Sequence, residues 1–455
     1  MPTRDAASID GYVAGSDYPS AFHPRFQPSW IDAVLRLRGK EPPRSPRGPF
    51  TLVDLGCGDG IGLIASAVAH PEARFLGIDA MPSHIARGEA LVARLGLRNV
   101  ELVCADFQRS AGLALPDADY VTAQGVLAWV SPANRNALLD LAARLLRPGG
   151  VFAVGYNALP GWQRVAPFQH LVRLLARTQP GTPVERFEAA VAQAKASGAL
   201  GADVFAWLQQ LRERMPADYF AHEYLDEHWA PCWADEVIHA LQARGCTFAS
   251  EASTLRLRDD LTLKSAWRSA LDGMPEVAAR EVAADLLVDR WYRVDLYLRD
   301  GAANPAPAPA RDAAERHAAN THARLHDWWR ARATPEHVRW AIDTPAGRVN
   351  FDNRAARAIL DTLQAGPARL ADVPGLRAPD LLNAVDALWL ADLVQPAEPP
   401  ADVPHAAAFE AALADGAAGG VATMSVVVSR HGAFMPPSAA ADAQRSSAES
   451  VPPSA

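Results

Sequence analysis

Thr51 to Leu55 is an apolar run that leads into three closely spaced glycines, Gly56, Gly58 and Gly60. A carboxylate, Asp79, follows about twenty residues later, after a second apolar run from Arg74 to Ile78. A chain leaving a strand into such a turn must bring bare backbone against its ligand, where a Cβ would be in the way. The pattern predicts a nucleotide-type ligand lying across the carboxyl ends of a parallel sheet. An acidic residue ending the second strand can accept hydrogen bonds from both ribose hydroxyls.

The spacing narrows the ligand. A dinucleotide fingerprint reads G-x-G-x-x-G and seats a pyrophosphate on a helix N-terminus. Here the glycines read G-x-G-x-G, with Asp54 on the strand and Asp59 inside the loop. Two carboxylates would repel a pyrophosphate and suit a ligand with a cationic end, such as the ammonium and sulfonium of S-adenosylmethionine. The D-x-G-x-G-x-G string resembles motif I of class I S-adenosylmethionine-dependent methyltransferases.

Further strands follow in the order that this resemblance implies. Val100 to Cys104 leads to Asp106 and Phe107, an acceptor for an adenine amino group and a ring to lie against it. Asp119 to Ala123 is a fourth strand, whose loop carries Gln124 and Gly125 beside the methionine part of the cofactor. Ala133 to Leu146 has helical spacing and ends at the breaker Arg147-Pro148-Gly149-Gly150. Val151 to Tyr156 is a fifth strand. Strand–helix alternation predicts a doubly wound sheet. The expected cofactor residues are Asp54, Gly56, Gly58, Gly60, Asp79, Ala80, Asp106, Phe107, Gln124, Gly125 and Tyr18.

At 455 residues the chain exceeds one ordinary domain. Its net charge of −8, with lysine only at Lys40, Lys195 and Lys264, argues against a broad nucleic-acid footprint. Cys57, Cys104, Cys232 and Cys246 have no C-x-x-C spacing and read as free thiols of a reducing compartment. Neither a leader pattern nor an apolar run of the ~18 residues that a membrane span needs is visible. A cytoplasmic location is expected.

The chain divides by pattern as follows: an N-terminal cap segment (1–45), a Rossmann-like core (46–164), a helical insertion (165–222) and a return of the core (223–260). A helical regulatory segment (261–300), a linker with a helix (301–330), a winged-helix-like domain (331–434) and a disordered tail (435–455) complete it. The fold class expected is α/β, a class I methyltransferase sheet with a helical insertion and a small C-terminal helical domain. That last module tempts a DNA-binding reading. Between Phe351 and Pro396, however, it has four arginines, six aspartates and no lysine, so a packing or docking role is expected.

Strings outside the glycine motif carry a closer resemblance. They are Asp17-Tyr18-Pro19-Ser20, Gly125 to Val130, Gly155-Tyr156-Asn157-Ala158-Leu159-Pro160-Gly161-Trp162, Ala221-His222-Glu223-Tyr224-Leu225 and Asp289 to Arg293. Together they resemble bacterial methyltransferases with a methyltransferase regulatory domain, a family that includes rickettsial protein-lysine methyltransferases. The resemblance covers roughly residues 10 to 300. Family members tend to read H-G-V-Y-S-W-V after the fourth strand. Gln124 and Leu127 replace the His and Tyr here, which points to a different substrate.

The resemblance implies S-adenosylmethionine as cofactor and a protein lysine as one acceptor. A small-molecule methyltransferase and a non-catalytic cofactor-binding scaffold with a docking domain are the alternatives, and a homodimer is open. Asn157, Tyr156 and Trp162 are the candidate catalytic residues, with Tyr12, Tyr18 and Trp129 closing the pocket. His222 and Glu223 form one His–Glu pair without a second in register, so no metal site is expected.

Overall fold

The computed structural model describes residues 8–9, 12–13, 22–44, 48–198, 200–213, 215, 217–301, 310–333, 338–418 and 426–434. Tyr18 and the tail 435–455 lie outside them.

A seven-stranded sheet organises the chain. Its strands are β1 (Thr51–Leu55), β2 (Arg74–Asp79), β3 (Val100–Cys104), β4 (Ala118–Gln124), β5 (Leu146–Asn157), β6 (Cys246–Glu251) and β7 (Tyr292–Arg299). They lie in the order β3-β2-β1-β4-β5-β7-β6. The first five are parallel, and β7 runs antiparallel to both neighbours. The strands are near-continuous apolar runs because both faces are covered. Successive side chains point to opposite faces. Leu52, Tyr120, Val151, Ala153, Val294 and Leu296 therefore enter one core, and Val53, Leu55, Val121, Phe152, Val154 and Tyr297 the other.

The first core holds α1 (Pro28–Leu37) and part of α2 (Ile61–Ala69). The second holds α5 (Pro132–Leu145) and α10 (Ala234–Gln242). Between β2 and β3 runs α3 (Pro82–Leu95), started by a proline and stopped by left-handed Gly96. A one-turn helix, α4 (Phe107–Ser110), is capped by Asp106, and Ser131 caps α5.

Four helices follow β5: α6 (Ala166–Ala176), α7 (Pro183–Ser197), α8 (Ala202–Arg212) and α9 (Ala217–Leu225). Thr182 and Glu185 form a capping box at the start of α7. These helices close around their own core of Phe168, Phe187, Trp207, Phe220 and Tyr224, into which Trp162 and Trp291 also project.

Three expectations need correction. The breaker Arg147–Gly150 belongs to the start of β5, which pairs from Leu146 onward. Residues 261–300 are not helical throughout. After α11 (Asp259–Thr262), α12 (Ser265–Asp272) and α13 (Val277–Val288) the chain forms β7, which inserts between β5 and β6. Its alternation was masked by Arg293 and Asp295, which are buried because Glu281 and Asp285 of α13 neutralise Arg293 at 2.9 and 2.7 Å. Finally, α9 runs to Leu225, past the expected end of the insertion at 222.

Beyond the sheet, α14 (Ala310–His326), α15 (Arg354–Gln364) and α16 (Ala378–Leu390) flank a three-stranded antiparallel sheet. Its strands are Ala368–Arg369, Trp328–Ala331 and Val394–Ala397, in that order. This module shares the first core: Trp389 meets Trp30 of α1 edge-on at 5.0 Å. Farther on, α17 (Ala406–Ala418) and the hairpin Val427–Ser429/Gly432–Phe434 cover α2 through Phe409 and Val428.

Candidate active site

The strand order reverses between β1 and β4, and a crevice must open there beyond the carboxyl ends of the strands. A cavity of about 700 Å³ occupies that position. Its floor is the glycine loop, where Gly56, Gly58 and Gly60 take φ of 81°, 59° and 71°, a region that excludes most side chains. Gly56 and Gly58 line the cavity together with Cys57 and Asp59.

Asp79 holds the loop. Its Oδ2 accepts from the Gly58 amide at 2.9 Å and its Oδ1 from the Met81 amide at 2.9 Å. Each oxygen keeps a second lone pair for a ribose hydroxyl. Ala80, Met81, His84 and Arg87 continue this wall along the first turns of α3. On the β3 side stand Asp106, buried Phe107 and Arg109. Asp106 Oδ1 accepts from the Arg109 amide at 2.8 Å as the cap of α4.

The opposite end is built differently. Gln124 and Gly125 end β4, followed by Val126, Trp129 and Val130, with Asn134 from α5 and buried His222 from α9. The lining carboxylates, Asp59, Asp79 and Asp106, all come from the ends of β1, β2 and β3. None lies at this end.

Eight of the expected cofactor residues are thus brought together: Gly56, Gly58, Asp79, Ala80, Asp106, Phe107, Gln124 and Gly125. Two are not. Asp54 lies behind the loop, where the Thr122 hydroxyl donates to it at 2.7 Å and burial raises its pKa to about 6. Gly60 is the left-handed residue that begins α2.

The three candidate catalytic residues are absent from the cavity wall. Tyr156 points into the core and donates to Asp295 at 2.6 Å. Trp162 is wedged between Trp229 and Trp291, with ring centroids 5.4 and 5.3 Å away. Asn157 Nδ2 donates to Glu223 Oε1 at 3.3 Å, and its carbonyl accepts from the Cys232 amide. The loop after β5 binds the helical insertion to the sheet, which is why its aromatic residues are dry.

Sequence reasoning missed Met81, His84 and Arg87, although their three-residue spacing after Asp79 marks one helix face. Arg109 and Asn134 had no distinguishing signal, while Val126 lay in the string Gly125 to Val130. His222 was visible in its string but without a position. Tyr292 was likewise visible in its string, but its segment was read as helix rather than strand. Among the described residues no group of three metal-ligating side chains occurs.

Residues 52–150 match the family described as methyltransferase domain, and residues 216–299 the predicted methyltransferase regulatory domain. An uncharacterised Synechocystis protein is 26% identical over 372 residues, covering 80% of this chain and 71% of its own. A Rickettsia prowazekii protein is 30% identical over 148 residues, or 32% of this chain and 57% of its own length. PKMT2 from Rickettsia typhi in complex with AdoHcy shares the fold with a TM-score of 0.62, at 18% identity, over 83% of this chain and 77% of that one. The glycine loop, the Asp79 carboxylate that braces it and the two family matches agree: the chain is a class I S-adenosylmethionine-dependent methyltransferase carrying a methyltransferase regulatory domain.

Proposed function

We propose that this enzyme methylates a lysine side chain of a protein. The observation that carries the reading is the asymmetry of the cavity. The end beside β4 offers Trp129, Gln124 and His222 and neither carboxylate nor arginine, while both lining arginines, Arg87 and Arg109, stand at the other end. An acidic small-molecule acceptor would be met by a lining cation, and both lining arginines stand away from that end. A lysine must arrive or become neutral, and a largely apolar wall without a lining carboxylate disfavours its charged form. The resemblance to rickettsial protein-lysine methyltransferases, and the fold shared with a protein named PKMT2, support the same acceptor.

The residues fit the cofactor. Gly56 and Gly58 would admit it against bare backbone, Asp79 would accept from the ribose, and Asp106 and Phe107 would hold the adenine. When bound, S-adenosylmethionine supplies a methyl group on a positively charged sulfur. The acceptor nitrogen would take that methyl group as the C–S bond breaks to leave a neutral thioether, and would give up one proton. His222 is the side chain placed to take that proton. Trp129 walls the acceptor, and Gln124 orients it.

The test is transfer of tritiated methyl groups to a bacterial lysate, separated into protein and small molecules, followed by acid hydrolysis. Methyl-lysine in the protein fraction is expected, with His222→Ala lowering turnover on the order of 10²-fold at unchanged cofactor affinity. Label confined to small molecules, or to residues other than lysine, would reject the reading.

A further inference from the structure

The segment matched as the regulatory domain, 216–299, forms part of the catalytic sheet and reaches the cavity at two points. One is His222, which lines it directly. The other is indirect. Tyr292, the first residue of β7, pairs with Asn157 of β5. Its hydroxyl crosses β5 and accepts from Gln124 Nε2 of β4 at 3.2 Å. That crossing is open because β5 carries glycine at position 155, opposite Gln124. A Cβ there would stand 2.2 Å from the hydroxyl.

We infer that Tyr292 is a positioning residue that sets the orientation of the Gln124 amide and, through it, the acceptor that the enzyme takes. A glutamine amide can turn by half a rotation; here it meets the Tyr292 hydroxyl, which the Gly125 amide also bonds, through Nε2. With Nε2 held by Tyr292, the carbonyl Oε1 is the amide atom left for the cavity. That oxygen accepts from the N–H of an incoming amine and aims the nitrogen lone pair. The regulatory segment thus acts inside the active site, as the wall behind the acceptor. The inference rests on the methyl-transfer reading of the cavity but not on lysine as the acceptor.

The test is a double-mutant cycle on the full chain with Tyr292→Phe and Gln124→Ala. The readout is the initial rate of tritium transfer from S-adenosylmethionine into whichever lysate fraction the wild type labels, at varied lysate concentration. Tyr292→Phe is expected to lower kcat about tenfold or more, since alignment matters in the transition state. S-adenosylhomocysteine affinity by calorimetry and Tm should stay at wild-type values. In the Gln124→Ala background the same change should cost nothing further. An equal loss in that background, or a Tyr292→Phe enzyme with wild-type kcat, would overturn the inference. Absence of transfer by the wild type into either fraction would remove the methyltransferase reading and this inference with it. Label in small molecules alone removes only the lysine acceptor, and the cycle is then read on that fraction.

Discussion

One carboxylate, Asp79, both shapes the glycine loop and lines the cavity, with an oxygen on each of two backbone amides. Replacing it with alanine should weaken S-adenosylhomocysteine binding by about 2–3 kcal/mol, the scale of a charged hydrogen bond. Calorimetry giving wild-type affinity would remove Asp79 from the cofactor site. Glu223 is another carboxylate with an unusual setting. Burial raises its pKa from 4.5 to about 8, against the opposing donors Asn157 and Tyr219. The neutral form is therefore favoured by folding, and its contribution to stability is lost as the pH rises from about 4.5 through 8. Glu223→Gln keeps the shape without the titration. We expect its Tm to exceed that of the wild type above pH 8, by an amount equivalent to a few kcal/mol. Parallel Tm-against-pH curves for the two proteins would contradict this.

At the scale of elements, the pairing of α13 with β7 depends on Arg293. Its guanidinium reaches Asp285 at 2.7 Å, Glu281 at 2.9 Å and Asp295 at 2.9 Å, with no solvent exposure. Arg293→Met would leave Glu281 to Arg256 at 3.3 Å, Asp285 to Arg290 at 3.7 Å and Asp295 to the Tyr156 and Tyr297 hydroxyls, with one buried positive charge fewer among them. A loss of about 3–5 kcal/mol is expected from urea unfolding. A variant within 1 kcal/mol of the wild type (roughly the effect of an ordinary surface change) would show that the network is dispensable. The same network explains what could be read locally and what could not. The five parallel strands were legible because each is an apolar run bounded by turn residues. β7 was not, because a charged residue on a buried face looks like a solvent-facing one until its partners on another element are known. Asn157 and Trp162 were assigned to the cavity from their place after β5. That loop turns instead toward the helical insertion, where indole rings are packed edge to face. Asn157→Ala should accordingly lower Tm and leave cofactor affinity intact.

On the scale of the whole molecule, the C-terminal module and the catalytic sheet share one core. Trp30 and Trp329 both pack on Trp389, and Ile31, Val34 and Leu35 of α1 lie in the same cluster as Ile359 and Leu388. Truncation after residue 300 would expose that apolar face. We expect the shortened chain to aggregate or to melt well below the intact protein; a truncated form with the intact Tm would show that the module is only an appendage. Arg357, Arg369 and Arg377 of the module are each held by a neighbouring aspartate at 2.6 to 2.9 Å. The full chain should therefore show no salt-sensitive, submicromolar binding to duplex DNA. None of the helices among the described residues is long and apolar enough to cross a membrane.

The order of residues by itself determined the glycine loop, the carboxylate that braces it and the parallel strands beneath, because those contacts join neighbours within a strand–turn–helix unit. Only the tertiary structure decided what stands at the β4 end of the cavity and what stands behind it. Gln124 and Tyr292 are 168 residues apart, Asn157 and Glu223 are 66 apart, and His222 enters from a helix outside the sheet. Such pairs depend on the register of an antiparallel strand inserted between two others and on the packing of one helix against its edge. A shift of one residue would turn every side chain of β7 to the opposite face.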